Sequence, residues 1–151
     1  MTAKISNFTF HNARGESVLA SELAQWALKA QRPFNVASYS WMVDGKLISR
    51  IKNSYWRELP DASGFICFED DRDTDNCYVT DVYAEQRYRL RVPLELTPYE
   101  VPPGAKMWFR NEGTHNDGQF GVTAWIEYAG DFYFELDYHE GRFLWGKEIR
   151  F

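Results

Sequence analysis

Residues 131–139 read DFYFELDYH. Phe132, Phe134, Leu136 and Tyr138 alternate with Tyr133, Glu135, Asp137 and His139, which is the period of a half-buried strand with one face on a core. On this reading Tyr133 faces outward. Strand-like segments flank the stretch at 106–110, 119–129 and 142–150. Glycine-bearing turns separate them at 111–118, Ala129-Gly130 and Glu140-Gly141, so the last third of the chain is expected to be an antiparallel meander.

The same reading extends towards the N-terminus. Residues 87–96 alternate Arg87, Arg89, Arg91, Pro93 and Glu95 with Tyr88, Leu90, Val92, Leu94 and Leu96, again period two. Pro93 cannot donate a backbone hydrogen bond, which points to an edge position or a bulge. Segments 36–43 and 46–52 flank Asp44-Gly45, a dipeptide that suits a type I′ hairpin. Residues 64–69 and 77–83 give two further short strands, 53–59 a short helical turn, and 4–10 a first strand. Helical spacing is found over 17–31, where Leu19, Leu23, Trp26, Ala27 and Ala30 form one apolar stripe. Ser17 is the expected N-cap, and Pro33 forces an end nearby. The expected class is α+β: a predominantly antiparallel β-sheet of about eight or nine strands, with one N-terminal helix packed on it. Residues 1–151 are read as a single domain, since a chain of this length fits one core.

Charge is unevenly placed. The chain carries −5 overall. Between residues 61 and 86 stand eight acids (Asp61, Glu69, Asp70, Asp71, Asp73, Asp75, Asp81 and Glu85) against Arg72 alone, giving −7. The other 14 acids and 16 bases leave +2. Binding to nucleic acid needs a basic surface and is not expected; an acidic focus suits a cation or a basic partner instead. Asp71, Asp73 and Asp75 are spaced like the first ligands of a calcium loop. However, Asn76 stands where such a loop wants Gly, and Val82 where it wants a bidentate Glu. No metal and no cofactor is therefore expected.

Four aspartates within six residues repel one another, and a turn needs only one or two of them. Glu69, Asp70, Asp71, Asp73, Asp75 and Asp81 are accordingly read as partner-binding residues that meet a basic protein surface. Arg87, Arg89 and Arg91 share one strand face and read as a solvated row paired with acids on a neighbour. Cys67 and Cys77 read as ordinary thiols of a reducing compartment; in one strand register they lie opposite each other. No apolar run approaches a membrane span, and no basic-then-apolar leader opens the chain, so a cytoplasmic location is expected.

For catalysis, Glu135, Asp137 and His139 share a strand face that could position an acid–base pair. No nucleophile elbow, phosphate-cradling loop or HExxH occurs. Twelve aromatics lie between Trp108 and Phe151, but the alternation sends most of them to the core. Tyr133 and one Trp remain as outward candidates, too few for a stacking platform. The leading expectation is an immunity-type inhibitor, a cytosolic protein-binding module that occupies a basic surface or cleft of a toxin or enzyme. The alternatives are a small-molecule or carbohydrate-binding β domain, and an enzyme of unknown chemistry.

Overall fold

The computed structural model describes residues 3–69, 74–97, 101–114 and 119–149. Its strands are β1 (Ser6–Asn12), β2 (Ser17–Leu19), β3 (Val36–Val43), β4 (Lys46–Ile51), β5 (Tyr55–Glu58), β6 (Phe65–Phe68), β7 (Cys77–Thr80), β8 (Gln86–Arg89), β9 (Met107–Thr114), β10 (Phe120–Ile126), β11 (Gly130–Asp137) and β12 (Arg142–Glu148). The helix α1 spans Leu23–Ala30. The strands form three four-stranded antiparallel sheets, ordered β2-β1-β3-β4, β5-β6-β7-β8 and β12-β11-β10-β9. The antiparallel α+β reading holds. The strand count rises to twelve among the described residues, because several strands are only three or four residues long and too brief to show a period.

All eight residues of β6 and β7 are buried. They are covered on both faces, because the middle sheet is shared between two cores. Ile66, Phe68, Cys77 and Val79 pack with the apolar face of the third sheet (Phe109, Val122, Ala124, Phe134 and Phe143 among others). Phe65, Cys67 and Tyr78 pack the other way, with Phe8, Phe10, Tyr39, Trp41 and Val43 of the first sheet. A two-sided burial explains why Phe65-Ile66-Cys67-Phe68 is a continuous apolar run rather than an alternating one. The first core is ring upon ring. Trp41 is fully buried, meets Trp56 and Phe65 at 5.5 and 5.0 Å, and donates its indole N–H to Val82 O at 2.7 Å.

Several sequence expectations are corrected. The segment read as one helix from Ser17 begins as strand β2: Val18 pairs with Phe10 of β1, and burying Val18 on the sheet outweighs helix propensity there. Ser17 is thus no N-cap. The helix keeps the expected face, with Leu23, Trp26, Ala27 and Ala30 half-buried, but buries no residue fully. Its end comes at Gln31, whose φ of 54° is left-handed. The helical turn expected at 53–59 is strand β5, with Trp56 inward and Tyr55 outward. The alternation at 87–96 pairs only as far as Leu90, which donates to Cys77 O at 2.9 Å. Beyond it the partner strand has ended, and Pro93 opens a 3-10 turn, Leu94–Leu96. Cys67 lies opposite Tyr78, and Cys77 opposite Phe68. The register is thus slipped by one from the one that would set the two cysteines opposite each other, which turns the two sulfurs to opposite faces and leaves both cysteines free. At Asp44-Gly45 both residues have positive φ, 49° and 78°, as a type I′ turn requires. No helix among the described residues is long and apolar enough to cross a membrane.

Candidate functional site

The acidic turn joins β6 to β7, and its base is clamped. Glu69 N–H donates to Asn76 O at 2.7 Å, continuing the β6–β7 pairing outward. Arg89 of β8 reaches across: its Nη1 donates to Glu69 Oε1 at 2.5 Å and to Asp75 O at 2.8 Å. Arg91 pairs with Asp75 Oδ2 at 3.2 Å. Two of the row, Arg89 and Arg91, thus meet acids of the turn, whereas Arg87 donates to His139 O at 2.8 Å; Glu69 raises the already high pKa of Arg89. Five acids (Glu69, Asp70, Asp71, Asp73 and Asp75) stand against Arg72, Arg89 and Arg91, so the turn with its clamp carries −2. Asp70, Asp71 and Asp73 lie outside the described residues.

Asp81 is placed elsewhere, at the opposite end of β7. Its Oδ1 accepts from the backbone N–H groups of Tyr83 (2.8 Å) and Glu85 (3.0 Å), which shapes the turn into β8. Four strand residues of about 3.3 Å each separate it from Asn76, so the structure does not bring it together with Glu69 and Asp75.

Asn76 is the residue whose role sequence reasoning missed. It is buried, and its side-chain amide pairs with the β9 backbone. Nδ2 donates to Phe109 O at 2.9 Å, and Phe109 N–H donates to Oδ1 at 2.7 Å. Asp75 N–H adds a bond to Met107 O at 3.0 Å. The acidic turn is thereby stapled to the edge of the third sheet, next to Trp108.

That sheet turns an aromatic face outward. Trp108 and Trp125 are cross-strand partners, half-buried, with ring centroids 5.0 Å apart at 53°. Between them and Glu69 lies a groove of about 590 Å³, also lined by Asn76, Phe109 and Arg110. Arg110 is the extra residue of a bulge, since Asn111 pairs with Thr123 but Phe109 with Ala124, and its side chain is exposed. A second concavity of about 510 Å³ continues across Thr123, Gly121, Asp131 and Tyr133. Tyr133 does point to this face, but it is only 5% exposed. It lies against Gly121, where an added Cβ would stand 2.2 Å from its hydroxyl, and Trp145 packs on it at 5.8 Å. The expectation of one outward Trp is therefore corrected to three, Trp108, Trp125 and Trp145. Trp108 lies on the strand that the bulge at Arg110 interrupts, and its facing of Trp125 follows from register rather than from local pattern.

The Glu135, Asp137 and His139 trio does not converge. Glu135 is buried beside Trp145 in register. Asp137 Oδ1 accepts from the backbone N–H groups of His139 and Glu140. The His139 ring turns to Asp61, with Nε2 at 2.9 Å from Oδ2. Burial pushes the Cys67 thiol up to about 12 and also holds Cys77 well above the ordinary thiol value, far from a reactive thiolate. Among the described residues no group of three or more His, Cys, Asp or Glu is arranged to hold a metal ion.

No protein-family model matches the chain, and no curated protein matches it. Among solved structures, the fold is similar to that of a chain in "Structure of Tne2 in complex with Tni2", with a TM-score of 0.69 and 17% sequence identity, covering 97% of this chain and 99% of that chain. At that identity the likeness concerns the fold.

Proposed function

We propose that this chain is a cytosolic protein-binding module of the immunity type, an inhibitor rather than an enzyme, which caps a basic surface or cleft of a toxin or another enzyme. The observation that carries this reading is the juxtaposition of the Trp108–Trp125 pair with the clamped acidic turn. Aromatic anchors supply binding energy at interface centres, and a neighbouring field of opposite sign speeds encounter. In support, a chain of similar fold was solved within a complex, Tne2 with Tni2.

The test is to identify the partner by pull-down from the native cytosol, purify it, and measure both association and its activity. The reading expects a basic partner whose activity is lost at equimolar inhibitor. Association should slow steeply as salt rises from about 0.01 M to about 1 M, where the screening length falls from ~30 Å to ~3 Å. A partner that keeps full activity in the complex would defeat the reading. The three outward tryptophans also favour a carbohydrate-binding alternative, which predicts saturable binding of an oligosaccharide to the same face.

A further inference from the structure

We infer that β4 is a docking edge, which pairs with an extended protein segment that alternates acidic and apolar side chains. The inference goes beyond the inhibitor reading, because β4 belongs to the first sheet and the tryptophan face to the third. The backbone sets the geometry. Lys52 N–H donates to Ala37 O at 2.9 Å, and alternate residues of an antiparallel strand turn both backbone groups to one neighbour. Lys46, Ile48 and Arg50 therefore point theirs at β3, while Leu47, Ser49 and Ile51 turn three N–H and three C=O groups outward. An open edge of this kind is a template for another strand. The other sheet edges among the described residues are guarded. β2, β5 and β8 have only three or four residues. β9 is bridged by Asn76, and β12 carries a bulge at Leu144, which is skipped between the Glu135–Trp145 and Leu136–Phe143 pairs. β4 keeps an unbroken register over its six residues.

Side chains choose the occupant. Leu47 and Ile51 share the solvent face with Ser49 and are 68% and 83% exposed. Apolar side chains directly opposite on an added strand would cover them. On the other face Ile48 packs on the first core, while Lys46 and Arg50 stay exposed beside it. Lys46, Arg50 and Lys52 against Asp44 give the segment 44–52 a charge of +2, where the whole chain carries −5. Among the described residues these three cations enter no ion pair. Arg50 instead donates to Ser49 O at 2.8 Å and so covers one outward carbonyl. An incoming strand N–H takes over that carbonyl and frees the guanidinium for a carboxylate. Main-chain bonds then supply affinity, and the alternating side chains supply specificity.

The same charges disfavour a second copy as the occupant. Antiparallel self-pairing that keeps Leu47, Ser49 and Ile51 bonded across the edge centres on residue 48, 49 or 50. These registers set Arg50 against the copy's Lys46, Lys46 against the copy's Lys52, and Arg50 against the copy's Arg50. Like charges directly opposite are destabilising.

The experiment titrates the whole, isotope-labelled chain with the capped peptide Glu-Val-Glu-Val-Glu-Val-Glu and follows backbone amides by NMR and hydrogen exchange. The amides of Leu47, Ser49 and Ile51 are expected to shift saturably and to gain protection, while those of Ile48 and Arg50, already turned to β3, change little. The counterpart with Lys in place of Glu should bind at least about tenfold more weakly, since it sets like charges opposite. Ser49→Pro removes one outward N–H and leaves the bonds to β3 in place, so it should abolish binding. Trp41 and Trp56 donate their indole N–H groups inside the protein, to Val82 O and Ser54 Oγ, and their signals report that the variant is folded. Lys46→Glu combined with Arg50→Glu is a second variant should the first fail to fold, and it should reverse the preference between the two peptides. No protection of the three amides at millimolar peptide, or an equal response to both peptides, overturns the inference. So does a strongest response on the tryptophan face, an unchanged preference in the double variant, or a dimer formed through β4 without peptide.

Discussion

The side chain of Asn76 and the backbone of Phe109 exchange two hydrogen bonds, at 2.9 and 2.7 Å, in the pattern of a β-bridge. A side chain here replaces a strand residue. It ties the middle sheet to the edge of the third sheet where β7 begins, and so fixes the acidic turn beside Trp108. Asn76→Ala would leave a buried N–H and a buried C=O of Phe109 without partners. At about 1–3 kcal/mol per orphaned group, the loss for the two should be roughly 2–6 kcal/mol. Urea unfolding followed by fluorescence measures it, and a loss below about 0.5 kcal/mol would show that water replaces both bonds.

Trp26 and Trp41, two of the three tryptophans in the N-terminal half, should respond very differently to truncation. From its stripe alone Trp26 reads as a core residue whose removal costs roughly 3–5 kcal/mol. It is instead half-buried, packed on Phe34 at 5.0 Å with Arg32 over its ring. Trp26→Ala should therefore cost roughly 1–2 kcal/mol. Trp41→Ala removes a fully buried ring and an indole hydrogen bond, and should cost roughly 3–5 kcal/mol or prevent folding. Thermal unfolding of the pair decides the order; equal losses would mean that α1 is packed far more tightly than its exposure suggests.

Acid titration should expose one specific link between the first turn of the middle sheet and the end of β11. Burial raises the Asp61 pKa, but hydrogen bonding with Ser63 and the nearby charges of Lys4 and His139 more than offset it, holding the carboxyl below its ordinary value. A depressed folded-state pKa stabilises the fold above the unfolded value of about 3.9 and ceases to do so as pH falls through the folded value. Asp61→Asn should thus cost about 0.5–1 kcal/mol near neutrality, because the ion pair is partly exposed. The wild type and the variant should converge at the acid end of the titration. A difference constant across pH would assign the effect to packing rather than to charge.

What the sequence disclosed tracks the number of faces each segment buries. The meander was legible because Phe132, Phe134 and Leu136 face one core, and so was the Asp44-Gly45 hairpin because both central φ values are positive. The middle sheet was harder. Strands buried on both faces, such as Phe65–Phe68, carry no alternation, and Tyr55–Glu58 is too short to show any. Leu19 fitted the helical stripe, and only the pairing of Val18 and Leu19 with the neighbouring β1 edge reveals the strand. In the candidate site the charge of the acidic turn was plain from composition. Its two clamping arginines were visible only as a row, and the Asn76 staple and the bulge at Arg110 depend on contacts between residues 33 or more apart or on register, which local pattern does not encode.

The acids of the turn should divide into structural and recognition groups when neutralised separately. Glu69 and Asp75 hold Arg89 and Arg91. Converting them to Gln and Asn releases two arginines as well as removing two charges, so some stability should be lost, about 0.2–1 kcal/mol for each exposed pair. Asp70, Asp71 and Asp73 provide the remaining negative charge. Converting all three to Asn takes the turn and its clamp from −2 to +1, relieves mutual repulsion, and should leave thermal stability unchanged or slightly raised. If the turn steers a basic partner, the triple variant should associate at least about tenfold more slowly at low salt, with dissociation nearly unchanged. Its rate should also lose most of the wild-type salt dependence, because the long-range attraction has gone. Stopped-flow association with the purified partner, across a salt series, reads both effects in one experiment. If the triple variant and the wild type share the same rate at every salt concentration, the turn serves only solubility, and recognition rests on the tryptophan face alone.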